Sequence, residues 1–232
     1  MKTYIVVGGT SGIGLEVTKL LSENNRVLVL SRTNRNLDGL NNVEFHSVDV
    51  TKSMEELPNI DVTIDGLVYC PGTINLKPIK SLKLEDFQND FEVNVLGAVK
   101  VINKYYNGLK SAEKSTIVLF STVAVQIGMQ YHASIATAKG AVEGLTRTLA
   151  AEFAPNIRVN CIAPSITNTP LAEKLLNNEA KLKASEDRHP LKQIGDSKTI
   201  AELVTFLLSE RSGFITGQIF KVDGGISSIK ML

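Results

Sequence analysis

The sequence is short of cysteine and of excess charge. It has two cysteines, Cys70 and Cys161, in 232 residues. Two cysteines are too few for a disulfide framework or a cysteine-based metal cluster, so we expect buried thiols in a reducing compartment and no metal site. The formal net charge of +1 gives no electrostatic reason to expect a nucleic acid or an anionic membrane as a partner.

Long apolar segments are also missing. A four-residue apolar run precedes the first glycines, which is too short for a secretory signal peptide, and no run reaches the roughly 20 residues that span a bilayer. No linker, repeat or low-complexity tract interrupts the chain. The 43% of hydrophobic residues suffice for a sizeable core. Together these features predict one cytoplasmic domain over residues 1–232.

A glycine-rich turn stands at the start of the chain, between the apolar run 4–7 and a helical pattern. Glycines let the backbone come close to phosphates, and the following helix N-terminus offers free N–H groups and a partial positive charge. This order of elements predicts the pyrophosphate site of a dinucleotide. The residues predicted to form it are Gly8, Thr10, Ser11, Gly12, Ile13 and Gly14.

An acidic residue is missing where NAD-binding units carry one, at the end of the second predicted strand. Ser31 and Arg32 stand there, and Arg35 follows. No carboxylate would repel a phosphate, and a guanidinium can pair with one through two hydrogen bonds. The position therefore favours NADP over NAD, unless both arginines are ordinary solvated charges.

Seven segments with strand character alternate with about six helical patterns. The strands are predicted at 4–7, 26–30, 43–50, 66–70, 116–120, 157–163 and 218–222. This alternation is typical of a single-domain α/β fold, a Rossmann-type doubly wound parallel sheet, whose ligand crevice lies at the carboxyl ends of the strands. Asp49 and Val50 fall at such an end, where they can accept from an adenine amino group and pack on its ring.

Two further stretches carry expectations. The helical pattern over 81–110 contains Asn94 and Gly97, and both residues destabilise a helix interior, which suggests a local reason for each. Residues 165–198 are polar and weakly helical, and they are predicted to form a substrate loop or lid.

Over essentially its full length the sequence resembles the short-chain dehydrogenase/reductase family. The matching motifs are Gly8-x-x-x-Gly12-Ile13-Gly14, Asp49-Val50, Asn94-Val95-x-Gly97, Lys139, Ile157-Arg158-Val159-Asn160 with Pro164 and Thr169, and Ile215-Thr216-Gly217-Gln218 with Val222-Asp223-Gly224-Gly225. The resemblance implies a homodimer or homotetramer and NAD(P)-dependent hydride transfer between an alcohol and a ketone or similar bond. It also adds Cys70, Gly72, Lys139, Pro164, Ile166 and Thr169 to the expected cofactor site.

The resemblance implies catalytic roles for three residues and leaves one role empty. Lys139 would bind the nicotinamide ribose, and Asn94 would hold a water in the proton relay. The family serine that orients the carbonyl is Thr122 here, at the usual spacing from the lysine. The family tyrosine that exchanges the proton is Ile135, which has no titratable proton. The family glycine after Pro164 is Ser165.

Three explanations for the missing tyrosine stay open at this point. The proton could come from Tyr131, His132 or Ser134, although these could equally be a wall aromatic, a surface residue and a helix cap. Water relayed from Lys139 and Asn94 could protonate an undemanding substrate. Finally, the protein could bind NADP(H) without efficient turnover, as a sensor or a partner subunit. The substrate itself, expected to be a small carbonyl or alcohol, is not identified by the sequence.

Overall fold

A computed structural model describes residues 1–230. Its centre is a seven-stranded sheet in which every neighbouring pair is parallel, in the order β3-β2-β1-β4-β5-β6-β7. The strands are β1 (Thr3–Val7), β2 (Arg26–Ser31), β3 (Val43–Ser47), β4 (Gly66–Tyr69), β5 (Ser115–Phe120), β6 (Ile157–Pro164) and β7 (Ile219–Val222). The predicted single-domain doubly wound sheet is confirmed.

Eight α-helices are present in the described part of the chain. They are α1 (Gly12–Ser22), α2 (Leu84–Phe91), α3 (Gly97–Ser111), α4 (Ala124–Ile127), α5 (Ala133–Phe153), α6 (Glu173–Leu176), α7 (Glu179–Arg188) and α8 (Ser197–Leu208). None of the helices within residues 1–230 is both long and apolar enough to cross a membrane.

The core consists of two apolar clusters, one on each face of the sheet. Alternate residues of a strand point to opposite faces, so Ile5 and Val7 of β1 join one cluster while Tyr4 and Val6 join the other. Helices α3 and α5 cover the first face, and α1 and α8 cover the second. Both faces are therefore buried, which explains why the central strands β1, β2, β4 and β5 are nearly continuous apolar runs.

The helical pattern over 81–110 is interrupted, contrary to the prediction of one helix. Helix α2 passes into a π-helical segment, Glu92–Leu96, which leads directly into α3. The Tyr69 hydroxyl donates a 2.6 Å hydrogen bond to the Val93 carbonyl in this segment, and a Cβ at Gly97 would overlap that hydroxyl. The interruption and the glycine thus share one cause, the close approach of Tyr69.

Other predicted boundaries were also wrong. The third strand ends at Ser47 rather than Val50, and a single 3₁₀ turn, Met54–Glu56, follows it. A short helix, α4, follows Thr122. The segment 165–198 is more helical than predicted, because it contains α6 and α7.

The strand order reverses beside β1. The chain builds β2 and β3 on one side of β1 and then crosses to β4 on its other side. The connections after β1 and β4 therefore leave in opposite directions, and in sheets of this kind a crevice opens at that point on the carboxyl edge.

Candidate active site

A cavity of about 1170 Å³ opens at this carboxyl edge, and most of the predicted site residues lie on its wall. They are Gly8, Ser11, Gly12, Ile13, Gly14, Ser31, Arg32, Asp49, Val50, Cys70, Gly72, Thr122, His132, Lys139, Pro164, Ile166 and Thr169. Thr10, Asn94 and Tyr131 are not part of this wall. Within residues 1–230 no cluster of histidine, cysteine, aspartate or glutamate is suited to hold a metal ion.

The glycine turn is shaped for close approach of a ligand. Gly8 and Gly12 have φ of 75° and 53°, which favour glycine, and a Cβ at Gly14 would overlap the Gly8 carbonyl oxygen. The Ser11 side chain does not cap α1, and the first turn of α1 contains no acidic residue. The N–H groups at this helix end are therefore available to an anion, which fits the pyrophosphate of a dinucleotide.

Residues beyond the turn extend the cavity along β2 and β3. Thr10 supports this region from behind, since its hydroxyl lies 2.9 Å from that of Ser31. Arg32 lies on the wall and has no ion-pair partner among the described residues. Asp49 accepts from the Thr51 N–H and hydroxyl, which holds the pKa of its carboxyl below the usual value. Arg32 adds to this effect.

Lys139 is a buried cation at the other end of the cavity. It lies on α5, is 8% exposed, and donates a 2.8 Å hydrogen bond from Nζ to the Phe120 carbonyl at the end of β5. Burial lowers its pKa to about 8. A Cβ at Gly72 would lie 3.5 Å from this Nζ and 3.4 Å from Asn94 Oδ1, so a residue without a side chain keeps both polar groups reachable.

Asn94 lies in the π-helical segment with half of its amide satisfied. Its Nδ2 donates to the Asp90 carbonyl at 2.7 Å and to the Thr73 hydroxyl at 2.9 Å. Its Oδ1 is buried and has no hydrogen-bond partner among the described residues. A buried amide oxygen normally has a donor, so this atom is suited to a water or a ligand beside Gly72.

A buried carboxylate, Asp90, completes this region and was missed by the sequence analysis. It is 2% exposed and accepts from the hydroxyls of Thr73, at 2.6 Å, and Ser134. Ser134 is thus held behind the wall and does not cap α5, whose N-cap is His132. The spacing of four between Asp90 and Asn94 was the available signal, because it places both on one helical face.

The residues around position 135 line two cavities. Ile135 is 5% exposed and lies on the wall of the main cavity, one helical turn before Lys139. His132 lies on this wall and also on that of a second, shallow cavity, with Nδ1 2.6 Å from the Gln130 carbonyl. Tyr131 is 56% exposed, has φ of 68°, and lines this separate shallow cavity. Thr122 accepts from the Ala124 N–H at 3.3 Å, which leaves its own proton free to donate.

The segment 165–198 contributes to the cavity wall and reaches the glycine turn. Leu171, Leu175, Ala184 and Arg188 of this segment contribute to the wall. Thr169 and Pro170 pack against Gly12, where an added Cβ would lie 3.3 Å from the Thr169 Cβ. The segment therefore forms one side of the cavity, and its role as a substrate loop or lid stays a prediction.

Comparison with known proteins agrees with this geometry. The family model described as enoyl-(acyl carrier protein) reductase matches residues 7–227. L-xylulose reductase of Bos taurus is 32% identical over 230 residues, which cover 95% of this chain and 94% of that protein. The chain belongs to the short-chain dehydrogenase/reductase family. A tropinone reductase homolog of Arabidopsis thaliana, also 32% identical, covers 96% of the chain and 92% of its own length.

Solved structures of short-chain dehydrogenases superpose on the whole chain. A family member from Francisella tularensis subsp. tularensis SCHU S4 has a TM-score of 0.90 and 29% identity, over 99% of this chain and 100% of that one. The protein ElxO, solved with NADP bound, has a TM-score of 0.89 and 26% identity, over 98% and 99%. The chain is thus a short-chain dehydrogenase/reductase in sequence and in fold, with isoleucine at position 135.

Proposed function

We propose that this protein is an NADP(H)-dependent oxidoreductase that acts on a small carbonyl or alcohol compound and takes its proton from a group other than residue 135. The observation that carries the proposal is the meeting of Lys139 and Asn94 at Gly72. Burial of a lysine charge is unfavourable, so a lysine without a functional role would be expected at the surface. The burial of Lys139 beside the unpaired Asn94 Oδ1 therefore supports a functional role for both groups. NADP(H), when bound, would donate or accept the hydride.

The wall residues supply the binding contacts that this activity requires. The α1 N-terminus and its glycines would hold the pyrophosphate, and Arg32 would pair with the 2′-phosphate. Asp49 and Val50 would contact the adenine, and the Lys139 ammonium would bind the nicotinamide ribose. Cys70, Gly72, Pro164, Ile166 and Thr169 line the remaining wall.

The substrate carbonyl would accept a hydrogen bond from the Thr122 hydroxyl, whose proton is free. Asn94 Oδ1 would hold a water close to the Lys139 ammonium. Of the three side chains that the sequence suggested as proton donors, His132 lines the main cavity, Tyr131 lines only the separate shallow cavity, and Ser134 is buried against Asp90. This geometry supports a donor that lies within the cavity.

The experiment that tests the proposal is an NADPH oxidation and NADP⁺ reduction assay with purified protein and a panel of small ketones, aldehydes and alcohols. We expect turnover above a protein-free blank for at least one member. Tight NADPH binding with no turnover across the panel would contradict the proposal. It would favour the second candidate, a non-catalytic NADP(H)-binding protein, for which the apolar residue at 135 is the favouring observation.

Cofactor preference gives a first prediction. Arg32→Ala should weaken NADP⁺ binding by about tenfold to a hundredfold, because hydrogen bonds to a charged group contribute roughly 1.5–3 kcal/mol. NAD⁺ has no 2′-phosphate, so its affinity should change little. Arg35→Ala is the matched control, since Arg35 is exposed and lies off the cavity wall. Fluorescence titration with both cofactors measures this, and equal losses for NADP⁺ and NAD⁺ would remove Arg32 from the phosphate site.

Oligomeric state is a second prediction. We expect a homodimer or homotetramer built on the long helices. Phe91, Leu96 and Val99 are 39%, 41% and 38% exposed along the α2–α3 region, which supports burial by a second copy. Light scattering coupled to size exclusion should give a mass at least twice the 25.2 kDa of one chain. A monomeric mass at micromolar concentration would contradict this.

A further inference from the structure

A hydroxyl and an imidazole form a hydrogen-bonded pair in the cavity wall, apart from the residues assigned above. Ser165 Oγ lies 2.7 Å from His189 Nε2, and both residues line the main cavity. His189 is 2% exposed, so its ring is shielded from solvent by the fold. A buried titratable group that reaches a cavity through one hydroxyl is a common arrangement for moving a proton.

The direction of the hydrogen bond follows from the second ring nitrogen. His189 Nδ1 lies 2.7 Å from the Ser185 carbonyl oxygen. A carbonyl oxygen can only accept, so Nδ1 carries a proton. In the neutral ring Nε2 is then an acceptor, and the Ser165 hydroxyl donates to it. The pair is therefore a base that acts through a serine oxygen, and this serine lies on the cavity wall, where its oxygen can still accept a hydrogen bond.

The fold places this serine beside the residue proposed to hold the carbonyl. Ser165 follows β6 and Thr122 follows β5, its neighbour in the sheet. The Val123 N–H donates to the Pro164 carbonyl at 3.2 Å, which joins the two strand ends directly. The two hydroxyl-bearing residues are thus adjacent on the wall that also contains Ile135.

His189 is held from three sides, and the charged groups around it point elsewhere. The ring packs on Gly224, where a Cβ would lie 3.4 Å from it. The charged residues on the elements that pack against it are Glu186, Asp187, Arg188, Lys192 and Asp223. None forms an ion pair with His189 within the described residues.

Arg188, Lys192 and Asp223 have hydrogen-bond partners of their own. Arg188 donates to the Ser185 hydroxyl at 3.0 Å, and the Lys192 ammonium donates to the Asp187 carbonyl at 2.7 Å. The Asp223 carboxylate accepts from the Gly225 and Ser227 N–H groups. Among side chains of the described residues, Ser165 is thus the partner through which this imidazole reaches the cavity.

The alternative donor, His132, is less suited to the task. It is half-buried at the N-terminus of α5, and it lines the separate shallow cavity as well as the main one. His189 is instead 2% exposed, and its ring is fixed by hydrogen bonds at both nitrogens, one of them to a hydroxyl on the main cavity wall.

We propose that Ser165 is a catalytic residue and that His189 acts through it. Together they form a proton relay, which replaces the proton transfer that the side chain of residue 135 cannot perform. This rests on the proposed function. In the oxidation direction Ser165 Oγ takes the alcohol proton while its own proton passes to His189 Nε2. The C–H bond breaks, its electron pair leaves as hydride to NADP⁺, and the C=O bond forms. In reduction the carbonyl carbon gains the hydride and its oxygen gains a proton along the reverse path.

The test compares Ser165→Ala and His189→Gln in steady-state kinetics with the substrate found by the panel. Each should lower kcat by about a hundredfold or more, the usual contribution of a positioned acid or base. Glutamine can still accept from Ser165 but cannot carry its proton away, so His189→Gln should also flatten the pH profile of kcat. Ser165→Thr keeps the hydroxyl and should retain most activity. NADPH affinity should change less than threefold in all three variants.

Lys183→Met is the matched control and should leave kcat within threefold of the wild type, because Lys183 lies on α7, is 66% exposed and is not on the cavity wall. His132→Gln tests the alternative donor. A Ser165→Ala enzyme with wild-type kcat, or a loss confined to His132→Gln, would overturn the relay while leaving the oxidoreductase activity in place. No turnover by the wild type would instead overturn the proposed function. Nitrogen-15 NMR of the three histidines gives a readout without activity: His189 should carry its proton on Nδ1, and a proton on Nε2 in the neutral ring would contradict the relay.

Discussion

Replacing Lys139 by methionine is expected to lower kcat/KM by at least a thousandfold while leaving the protein folded. Methionine keeps the length and apolar stem of the side chain but removes the ammonium that lies beside Gly72 and Asn94. That charge would hold the cofactor ribose and the proton-relay water together, so its loss removes orientation and electrostatic stabilisation at once. Arg147→Met, on the same helix but 58% exposed, is the control and should retain full activity.

The same substitution is expected to stabilise the protein. Burial lowers the pKa of Lys139 from 10.5 to about 8, so the unfolded chain binds more protons between these pH values and wild-type stability rises with pH across that window. Below pH 8 the penalty for the buried charge is fully present. Lys139→Met should therefore raise the free energy of unfolding at pH 7 by about 3 kcal/mol, since each unit of pKa difference corresponds to about 1.36 kcal/mol.

Denaturant unfolding at pH 7 and at pH 10 checks this, since the gain should shrink at the higher pH. A destabilised Lys139→Met would mean that the hydrogen bond from Nζ to the Phe120 carbonyl outweighs the burial penalty. A stabilised variant that is also inactive would mark Lys139 as a residue kept for function at the expense of stability.

The fold was predictable because its signals are local. The central strands are nearly continuous apolar runs, the long helices on the sheet have an apolar periodicity, and the glycine turn joins the first strand to the first helix within a few residues. Alternation of the two element types then leaves few possible topologies. The predicted boundary of a helix was wrong where a residue distant in the sequence contacts it. The π-helical segment depends on Tyr69, which lies 24 residues before its hydrogen-bond partner Val93.

The candidate site was predictable only in part for the same reason. Ligand crevices lie at the carboxyl ends of parallel strands, and this rule predicted that the glycine turn, Asp49, Thr122 and Pro164 share one cavity. The rule gives no information on hydrogen-bond partners that come from elsewhere in the chain. Ser134 bonds to Asp90 across 44 positions, and Ser165 bonds to His189 across 24. Such hydrogen bonds depend on how the helices pack on the sheet. The periodicity of residues within one segment therefore cannot predict them.

Introducing tyrosine at position 135 is expected to rescue an enzyme that has lost the relay. Ile135 lies on the cavity wall one turn before Lys139, so a phenol there would reach the same space as the Thr122 hydroxyl. The Lys139 ammonium would favour the phenolate and so help the phenol release its proton. In a Ser165→Ala background, Ile135→Tyr should raise kcat by about a hundredfold, the scale on which one acid–base group acts.

Ile135→Phe in the same background separates chemistry from shape. Phenylalanine adds the ring without the hydroxyl, so it should give no rescue, and any loss it causes measures the effect of crowding the cavity. Rescue by both substitutions would show that bulk at position 135 matters rather than a proton. Rescue by neither, with NADPH affinity unchanged, would show that the space in front of Ile135 is not where the substrate oxygen lies. Rescue by tyrosine alone would mean that the two proton routes are interchangeable. Isoleucine at position 135 would then be compatible with activity, because Ser165 and His189 serve the same substrate oxygen.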